Sequence, residues 1–398
     1  MLHPDTSTPA VILKLVHPSA ALGIARSLGR LGVSVIGVHP RGRSPVALSR
    51  YVDSLWRFDP GKADDEATVA FLCEKARNLR TKPLLLPVDD HGTLLVSRYA
   101  ASLHEAFLLP DQPAGLPQRL GDKASLHRTA QELGVPTPDA SFPTTREELV
   151  EYAQRARFPL VVKPIDSGRL DRAKVSIAET PATLVRLADA LDDERIGRLM
   201  LQEYIPGGIE NIWMFNGYFD STGTCIFGAT GRKLRQFPPY TGMTSLGVCV
   251  PNRTVDDLSR RWLGELGYRG IVDMGYRFDA RDGRYKVLDV NPRIGATFRL
   301  FAGPDGMDVA RALYLDATGQ AVPESHPSPG RKWVVEPFDV ASSYRYWRDG
   351  KLRLHTWLRS LRSIEEAAWF SRDDLKPFLA MCASYALTTV RRRRGSAR

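Results

Sequence analysis

Asp273, Asp289 and Asn291 are the residues whose types and spacing best suit chemistry in this chain. Gly270-Ile271-Val272-Asp273-Met274 and Tyr285-Lys286-Val287-Leu288-Asp289-Val290-Asn291 both read as short apolar strands, because β-branched and apolar residues dominate between turn-formers. Asp282-Gly283 between them signals a hairpin. Antiparallel pairing brings Asp273 near Asp289 and Asn291, and residues two apart on a strand share a face. Two carboxylates, an amide oxygen and the nearby Arg293 then make an oxygen-lined site of the kind Mg²⁺ prefers, with water and substrate phosphates completing its shell. Left without a cation, the two carboxylates repel each other. The competing reading is a surface hairpin whose Asp and Asn side chains make turns and caps.

The other candidate groups are mostly cations. Phe158-Pro159-Leu160-Val161-Val162-Lys163-Pro164 is an apolar strand presenting one lysine just before the turn Ile165-Asp166-Ser167-Gly168-Arg169. Lys163 can neutralise phosphate oxygens while the Ser167-Gly168 turn points backbone N–H groups at them. A solvated strand lysine is the competing reading. Residues 231–235 read as a basic loop before a flexible segment, 238–242, and Lys233 and Arg235 in it are candidates to meet substrate or phosphate. For Arg235 surface charge is the alternative. Residues 83–88 form a buried-type strand ending in Asp89-Asp90-His91-Gly92. Ligands of open parallel sheets sit beyond the carboxyl ends of strands, so Asp90 and His91 are candidate substrate contacts. A helix N-cap is the stronger reading of the same residues, since caps of this kind are common. No Ser-His-Asp arrangement or activated cysteine is evident.

The scaffold for these groups is an α/β chain. Its 398 residues are enough for two or three domains, and 43% hydrophobic with 25% charged residues is ordinary for a globular protein. Residues 10–39 alternate strand, helix, strand, which predicts a parallel sheet with a right-handed crossover. The segment lacks G-x-G-x-x-G, so a dinucleotide site is not supported. Residues 121–133, 147–157 and 254–267 carry apolar residues at helical spacing. No window approaches 18 uninterrupted apolar residues, and the N-terminus lacks a charged-then-apolar leader pattern. Cys73, Cys225, Cys249 and Cys382 have no metal-ligand or disulfide spacing, which suits a cytoplasmic location. The net charge of +10 is uneven: residues 341–398 hold 13 Lys/Arg against 5 Asp/Glu. The aromatic residues of that tail, Tyr344 to Phe370, read first as a helical face packed on the body. The functional alternative is contact with an anionic membrane at its inner face, or with a lipid-linked substrate. No nucleic-acid module is present.

The ordered set Asp122-Lys123, Val162-Lys163-Pro164, Gln202-Glu203-Tyr204-Ile205-Pro206-Gly207, Asp273 and Leu288-Asp289-Val290-Asn291-Pro292-Arg293 resembles the ATP-grasp superfamily, over residues 10 to about 321. The Asn291-Pro292-Arg293 ending is similar to the carboxylate–amine ligase and carbamoyl-phosphate synthetase branch, and within it to the D-aspartate ligase-like carboligases. The resemblance implies a Rossmann-like domain over 1–115 and a small lid subdomain with its linker helix over 116–205. A large catalytic subdomain over 206–325 and a helical appendage over 326–398 follow. It implies ATP with Mg²⁺, or Mn²⁺ in its place. Lys123 and Lys163 would contact phosphates, Ser167 and Gly168 the lid turn over them. Glu203, Tyr204 and Ile205 would form the adenine hinge, and Glu210 would bind the ribose. Asp273, Asp289 and Asn291 would hold the metal. Arg293 would steady the phosphoryl group and the acyl-phosphate intermediate. Two departures from the family pattern stand out: Asp289 replaces the glutamate many relatives carry, and residues 166–169 contain one glycine only. Arg169, Arg172 and Lys174 are candidates to compensate.

The expected reaction is amide or peptide bond formation between a small carboxylate and an amine, an amino acid among them. Joining the two in water is uphill, so the carboxylate is first phosphorylated, and the amine then displaces phosphate. The protein's task is to position reactants and neutralise charge. The alternatives are a carboxylase or kinase-like transfer on the same scaffold, or a nucleotide-binding protein that has lost catalysis. A homodimer is left open.

Overall fold

The structure, a computed structural model, describes residues 4–15, 18–40, 44–165, 176–189 and 191–395, with side chains to residue 386. Its strands fall into three sheets. The first contains β1 (Ala10–Leu13), β2 (Val35–Val38), β3 (Ser54–Trp56) and β4 (Leu84–Pro87), all parallel, in the order β3-β2-β1-β4. All of β1 and β2 is buried, as continuous apolar runs in a two-sided parallel sheet should be. The strand order reverses between β1 and β4, so the carboxyl ends of these two parallel strands flank a topological switch point. There Asp89 caps the Asp90–Arg98 helix by accepting from Gly92 N, which settles the cap reading on Asp89 and leaves Asp90 at the helix start.

The second sheet is small and antiparallel: β5 (Ala140–Ser141), β6 (Leu160–Pro164), β7 (Ser176–Ala178) and β8 (Leu199–Glu203), ordered β5-β8-β6-β7. Leu149, Tyr152, Leu160, Leu184 and Leu201 form its own core under two helices. A separate core lets this unit be supported independently of the rest.

The third sheet has seven strands, β9 (Ile212–Phe219), β10 (Cys225–Phe237), β11 (Met243–Cys249), β12 (Gly270–Asp279), β13 (Arg284–Asn291), β14 (Lys332–Val334) and β15 (Ile364–Ala367). Their order is β13-β12-β9-β10-β11-β14-β15. One face buries Phe215, Val272 and Tyr276 against Trp262 of the Arg253–Glu265 helix. The other shares one core with the first sheet, in which Ile271, Ile294 and Phe298 belong to the same cluster as Ile12 and Leu22. That face of the large sheet is thereby joined to the first sheet through the Pro18–Gly29 and Val309–Ala317 helices.

Two expectations need correction. Residues 231–235 are not a loop but the middle of β10, paired with β9 on one side and β11 on the other. The cations there are accommodated because the strand is irregular, with register shifts against β11 between Lys233 and Gln236, and because Arg235 meets Asp339 at 2.7 Å with both side chains buried. Residues 326–398 are also more than a helical appendage. β14 and β15 extend the large sheet, and buried pairs Arg235–Asp339 and Arg26–Asp374 tie the segment to the body. Tyr346 and Trp369 pack inward as expected, whereas Tyr344, Trp347 and Phe370 stay exposed. All four cysteines are free, and no helix among the described residues is long and apolar enough to cross a membrane.

Candidate active site

The hairpin pairs as its sequence implies. Asp273 on β12 lies opposite Asn291 on β13, and Gly275 lies opposite Asp289. The turn between them holds Gly283 at φ +71°, a left-handed conformation that suits glycine. A register shift follows Gly275, as a bulge beside a functional site does when it re-aims side chains. Asn291 Nδ2 donates to Asp289 Oδ2 at 3.0 Å and to the Asp273 carbonyl at 3.3 Å. Burial, then the neighbouring Asp289 charge, push the Asp273 carboxyl up to about 6. Two glycines make room for the pair: a Cβ on Gly275 would sit 2.3 Å from Asp289 Oδ1, and one on Gly295 2.4 Å from Asp273 Cγ. A cradle of two crowded carboxylates and an amide, open on one side, fits a hard dication that takes its remaining ligands from phosphate and water. Among the described residues no three His, Cys, Asp or Glu side chains gather as an all-protein metal cage. For Mg²⁺ none is required.

Three lysines converge from different elements. Lys163, near the end of β6, donates to Gln202 Oε1 on β8 at 2.9 Å. Burial and the nearby Lys123 charge lower its ammonium to about 8, with Asp289 opposing them. It is therefore a partnered, desolvated lysine rather than a solvated strand residue. Lys123 starts the Lys123–Glu132 helix and donates to the carbonyls of Pro164 at 2.6 Å and Ile165 at 3.2 Å. Lys233 on β10 donates to the Gly242 carbonyl at 3.3 Å. Burial lowers its pKa, while the charges of Asp289 and Asp273 act against that shift. Lys233 thus faces the carboxylates across the sheet, whereas Arg235 turns the other way to Asp339. Arg293 Nε donates to Asp90 Oδ1 at 2.5 Å, and its Nη2 lies 3.4 Å from Asn291 Oδ1. His91, the other residue read at the end of β4, is held by Lys14 at 2.8 Å and Asp65 at 3.4 Å instead.

The segment after β8 runs beside this cluster. Glu203 N donates to the Asp139 carbonyl, Tyr204 N to that of Pro159, and the Ile205 carbonyl accepts from Arg277 Nε. The Glu203 carboxylate is engaged by Arg281 at 2.8 Å and lies 3.8 Å from Lys286. Glu210 is exposed and accepts from Gly208 N at 3.1 Å. Ser167 and Gly168, with Arg169, Arg172 and Lys174, lie outside the described residues.

Two polar residues at this site had no role assigned from the sequence: Asn216 was not singled out, and Gln202 stood only within the motif 202–207. Asn216 on β9 pairs with Asp273, is fully buried, and has an Oδ1 atom with no hydrogen-bond partner. Gln202 orients Lys163. Each is an amide inside an apolar strand, a costly placement that signals a purpose.

No family model matches the chain. Over 273 residues it is 25% identical to the D-aspartate ligase of Enterococcus faecium (strain Aus0004), covering 65% of this chain and 64% of that protein. It is 26% identical over 214 residues to the carbamoyl phosphate synthase large chain of Methanothrix thermoacetophila, covering 52% of this chain and 19% of the relative. The chain thus spans less than two thirds of the length of either. Among solved structures, the L-amino acid ligase from Bacillus licheniformis superposes with a TM-score of 0.62 at 16% identity, covering 83% of this chain and 79% of that one. The N5-carboxyaminoimidazole synthetase from Staphylococcus aureus complexed with ADP also gives 0.62, at 13% identity, covering 83% and 82%. The fold is that of the ATP-grasp enzymes, as the ordered motifs imply.

Proposed function

We propose that this chain is an ATP-dependent carboxylate–amine ligase that forms an amide or peptide bond through an acyl phosphate and releases ADP and phosphate. The observation that carries the reading is the facing of Asp273 and Asp289 by Lys163, Lys233 and Arg293 in one partly buried site. Relatives named as ligases, and a neighbour complexed with ADP, add to it. Asp273, Asp289 and Asn291 would hold Mg²⁺, or Mn²⁺, which supplies charge neutralisation between phosphate oxygens. Lys163 and Lys123 meet the phosphates, and Lys163 gains most from them because an anion relieves its buried charge. The backbone of Glu203 to Ile205 lines the adenine, with Tyr204 beside it, and Glu210 reaches the ribose. Ser167 and Gly168, which lie outside the described residues, would contact the phosphates as the resemblance implies.

The chemistry then follows from positioning. A substrate carboxylate oxygen attacks the γ-phosphorus, the bond to the β-phosphate oxygen breaks, and ADP departs. Arg293, held by Asp90, meets the charge that grows on the transferring phosphoryl group, and Lys233 neutralises the same region from β10. A neutral amine attacks the acyl carbon, phosphate leaves, and the amine proton passes to phosphate or water. Domain boundaries near 115 and 205 fit this division of labour, whereas the large sheet runs past 325 to take in β14 and β15.

The exposed C-terminal face supports a peripheral contact of this cytoplasmic enzyme with anionic membrane. Tyr344 and Trp347 are 62% and 58% exposed, among Arg345, Arg348 and Lys351. Sedimentation with anionic and neutral vesicles tests it.

The ligase reading is tested by pairing amino acids with amines, following ADP release and product mass, and repeating the active pair with ¹⁸O-labelled carboxylate. Label in inorganic phosphate alongside ADP supports the acyl phosphate. Label in AMP refutes it. ATP turnover without any joined product favours a kinase-like or carboxylase reaction, and no turnover with ATP bound favours a scaffold that has lost catalysis, the reading that the shorter Asp289 keeps open.

A further inference from the structure

A cavity of 310 Å³ lies between the first sheet and the large one, and Arg293 forms part of its wall. Leu86, Pro87 and Val96 face it from one side, Ile271, Pro292 and Ile294 from the other. Ile271 precedes Asp273 by two residues on β12, so both belong to the same face of the strand. The cavity therefore adjoins the carboxylate site on the side of the switch point.

Its polar lining is mostly engaged: Gln112 Oε1 accepts from Arg269 N at 3.2 Å, and the hydroxyls of the wall have partners. Thr93 Oγ1 donates to the Asp89 carbonyl, Ser97 Oγ to Gln118 Oε1, and Tyr268 OH to the Ile271 carbonyl. Of the residues forming its wall, none is Asp or Glu, and the charged ones are Arg98 and Arg293. Arg98 is turned outward to Asp65, and Arg293 is held by Asp90 beside Asn291. The interior is thus apolar, with a guanidinium next to the reacting groups. At roughly 30 Å³ per water the space equals roughly ten waters, about ten non-hydrogen atoms of a ligand. That is the lower end of the range for small-molecule sites.

We infer that this cavity receives the apolar side chain of the carboxylate substrate, an amino acid of leucine or phenylalanine size, whose carboxylate lies at Arg293. The inference rests on the ligase reading and names the substrate class of that site. A second carboxylate in the depth of the cavity would meet no cation, so aspartate is disfavoured by roughly 100-fold or more.

The experiment is calorimetric titration of the whole protein with leucine, phenylalanine and aspartate, each as both enantiomers, without nucleotide and again with ADP. ATP affinity and ADP release are measured in parallel. Ala101 is exposed on the Ala100–Ala106 helix and lines the cavity, so Ala101→Trp should fill it without disturbing the core. The expected result is binding of leucine or phenylalanine that weakens at least about tenfold in Ala101→Trp, with ATP affinity unchanged. Val96→Ala, which enlarges the same space, should shift preference toward phenylalanine. Tighter binding of aspartate than of either apolar amino acid overturns the inference, as does apolar binding that neither variant alters or no binding of any of the six. If ADP is released with aspartate alone, the cavity assignment fails and the ligase reading stands. If apolar amino acids bind and Ala101→Trp blocks them, yet no amine elicits ADP release, the cavity stands and the ligase reading fails.

Discussion

Lys163→Met separates a lysine kept for phosphate from one kept for the fold. The folded protein holds this ammonium at about 8 against an ordinary 10.5, chiefly through burial. At ~1.4 kcal/mol per pH unit, that gap disfavours the charged form by ~3 kcal/mol at neutral pH. Partial exposure of the side chain roughly halves the figure, to ~1.5 kcal/mol. Loss of the hydrogen bond to Gln202 takes back about 1 kcal/mol. Without nucleotide at pH 7, the methionine variant should therefore be as stable as wild type or slightly more so. The unfolded chain keeps its proton up to 10.5 and the folded one only to about 8, so wild-type stability rises with pH across that window. The variant lacks this rise. ATP should respond in the opposite sense. A charged contact worth ~1.5–3 kcal/mol is lost, which weakens binding about 10- to 150-fold. Because phosphate favours the charged lysine, wild-type affinity should also fall above pH 8, with proton uptake on binding. Thermal denaturation as a function of pH and calorimetry in buffers of different ionisation enthalpy read both effects. Unchanged ATP affinity in the variant, or a loss of more than ~2 kcal/mol of stability without nucleotide, refutes the reasoning.

Asp289→Ala should abolish ADP formation while circular dichroism and thermal denaturation report an intact fold; near-normal turnover removes the metal role. Gly275→Ala places a methyl 2.3 Å from Asp289 Oδ1, so the carboxylate must move, and the Mg²⁺ concentration needed for half-maximal turnover should rise. Arg293→Ala should lower kcat far more than it weakens ATP binding, because the charge it meets develops mainly in the transition state; equal effects on both argue for simple nucleotide binding. Asp339→Ala leaves Arg235 buried and unpaired and should cost about 3–5 kcal/mol in denaturant unfolding, with no specific effect on ATP affinity in protein that remains folded.

The hairpin, its Asp273–Asn291 pairing and the strand carrying Lys163 were legible in the sequence, because alternation, turn residues and strand length act over a few neighbours. The ordered motifs likewise located the fold, since each sits at the end of an element that local patterning defines. Other features had no local signal. A cation in β10 looks the same in one dimension whether the segment is a solvated loop or a central strand. Only pairing with β9 and β11 turned Lys233 toward Asp289 and Asp273 and gave Arg235 a buried partner 104 residues away. Arg293 meets Asp90 across 203 residues, and Asn216 faces Asp273 across a sheet. The cavity beside them exists only where two separately patterned sheets meet. Backbone propensity and periodicity are short-range, so the sequence alone determined the elements and the order of the motifs. Desolvation, ion pairing and the shape of the space between sheets depend on groups far apart in the chain, and those only the tertiary structure decided.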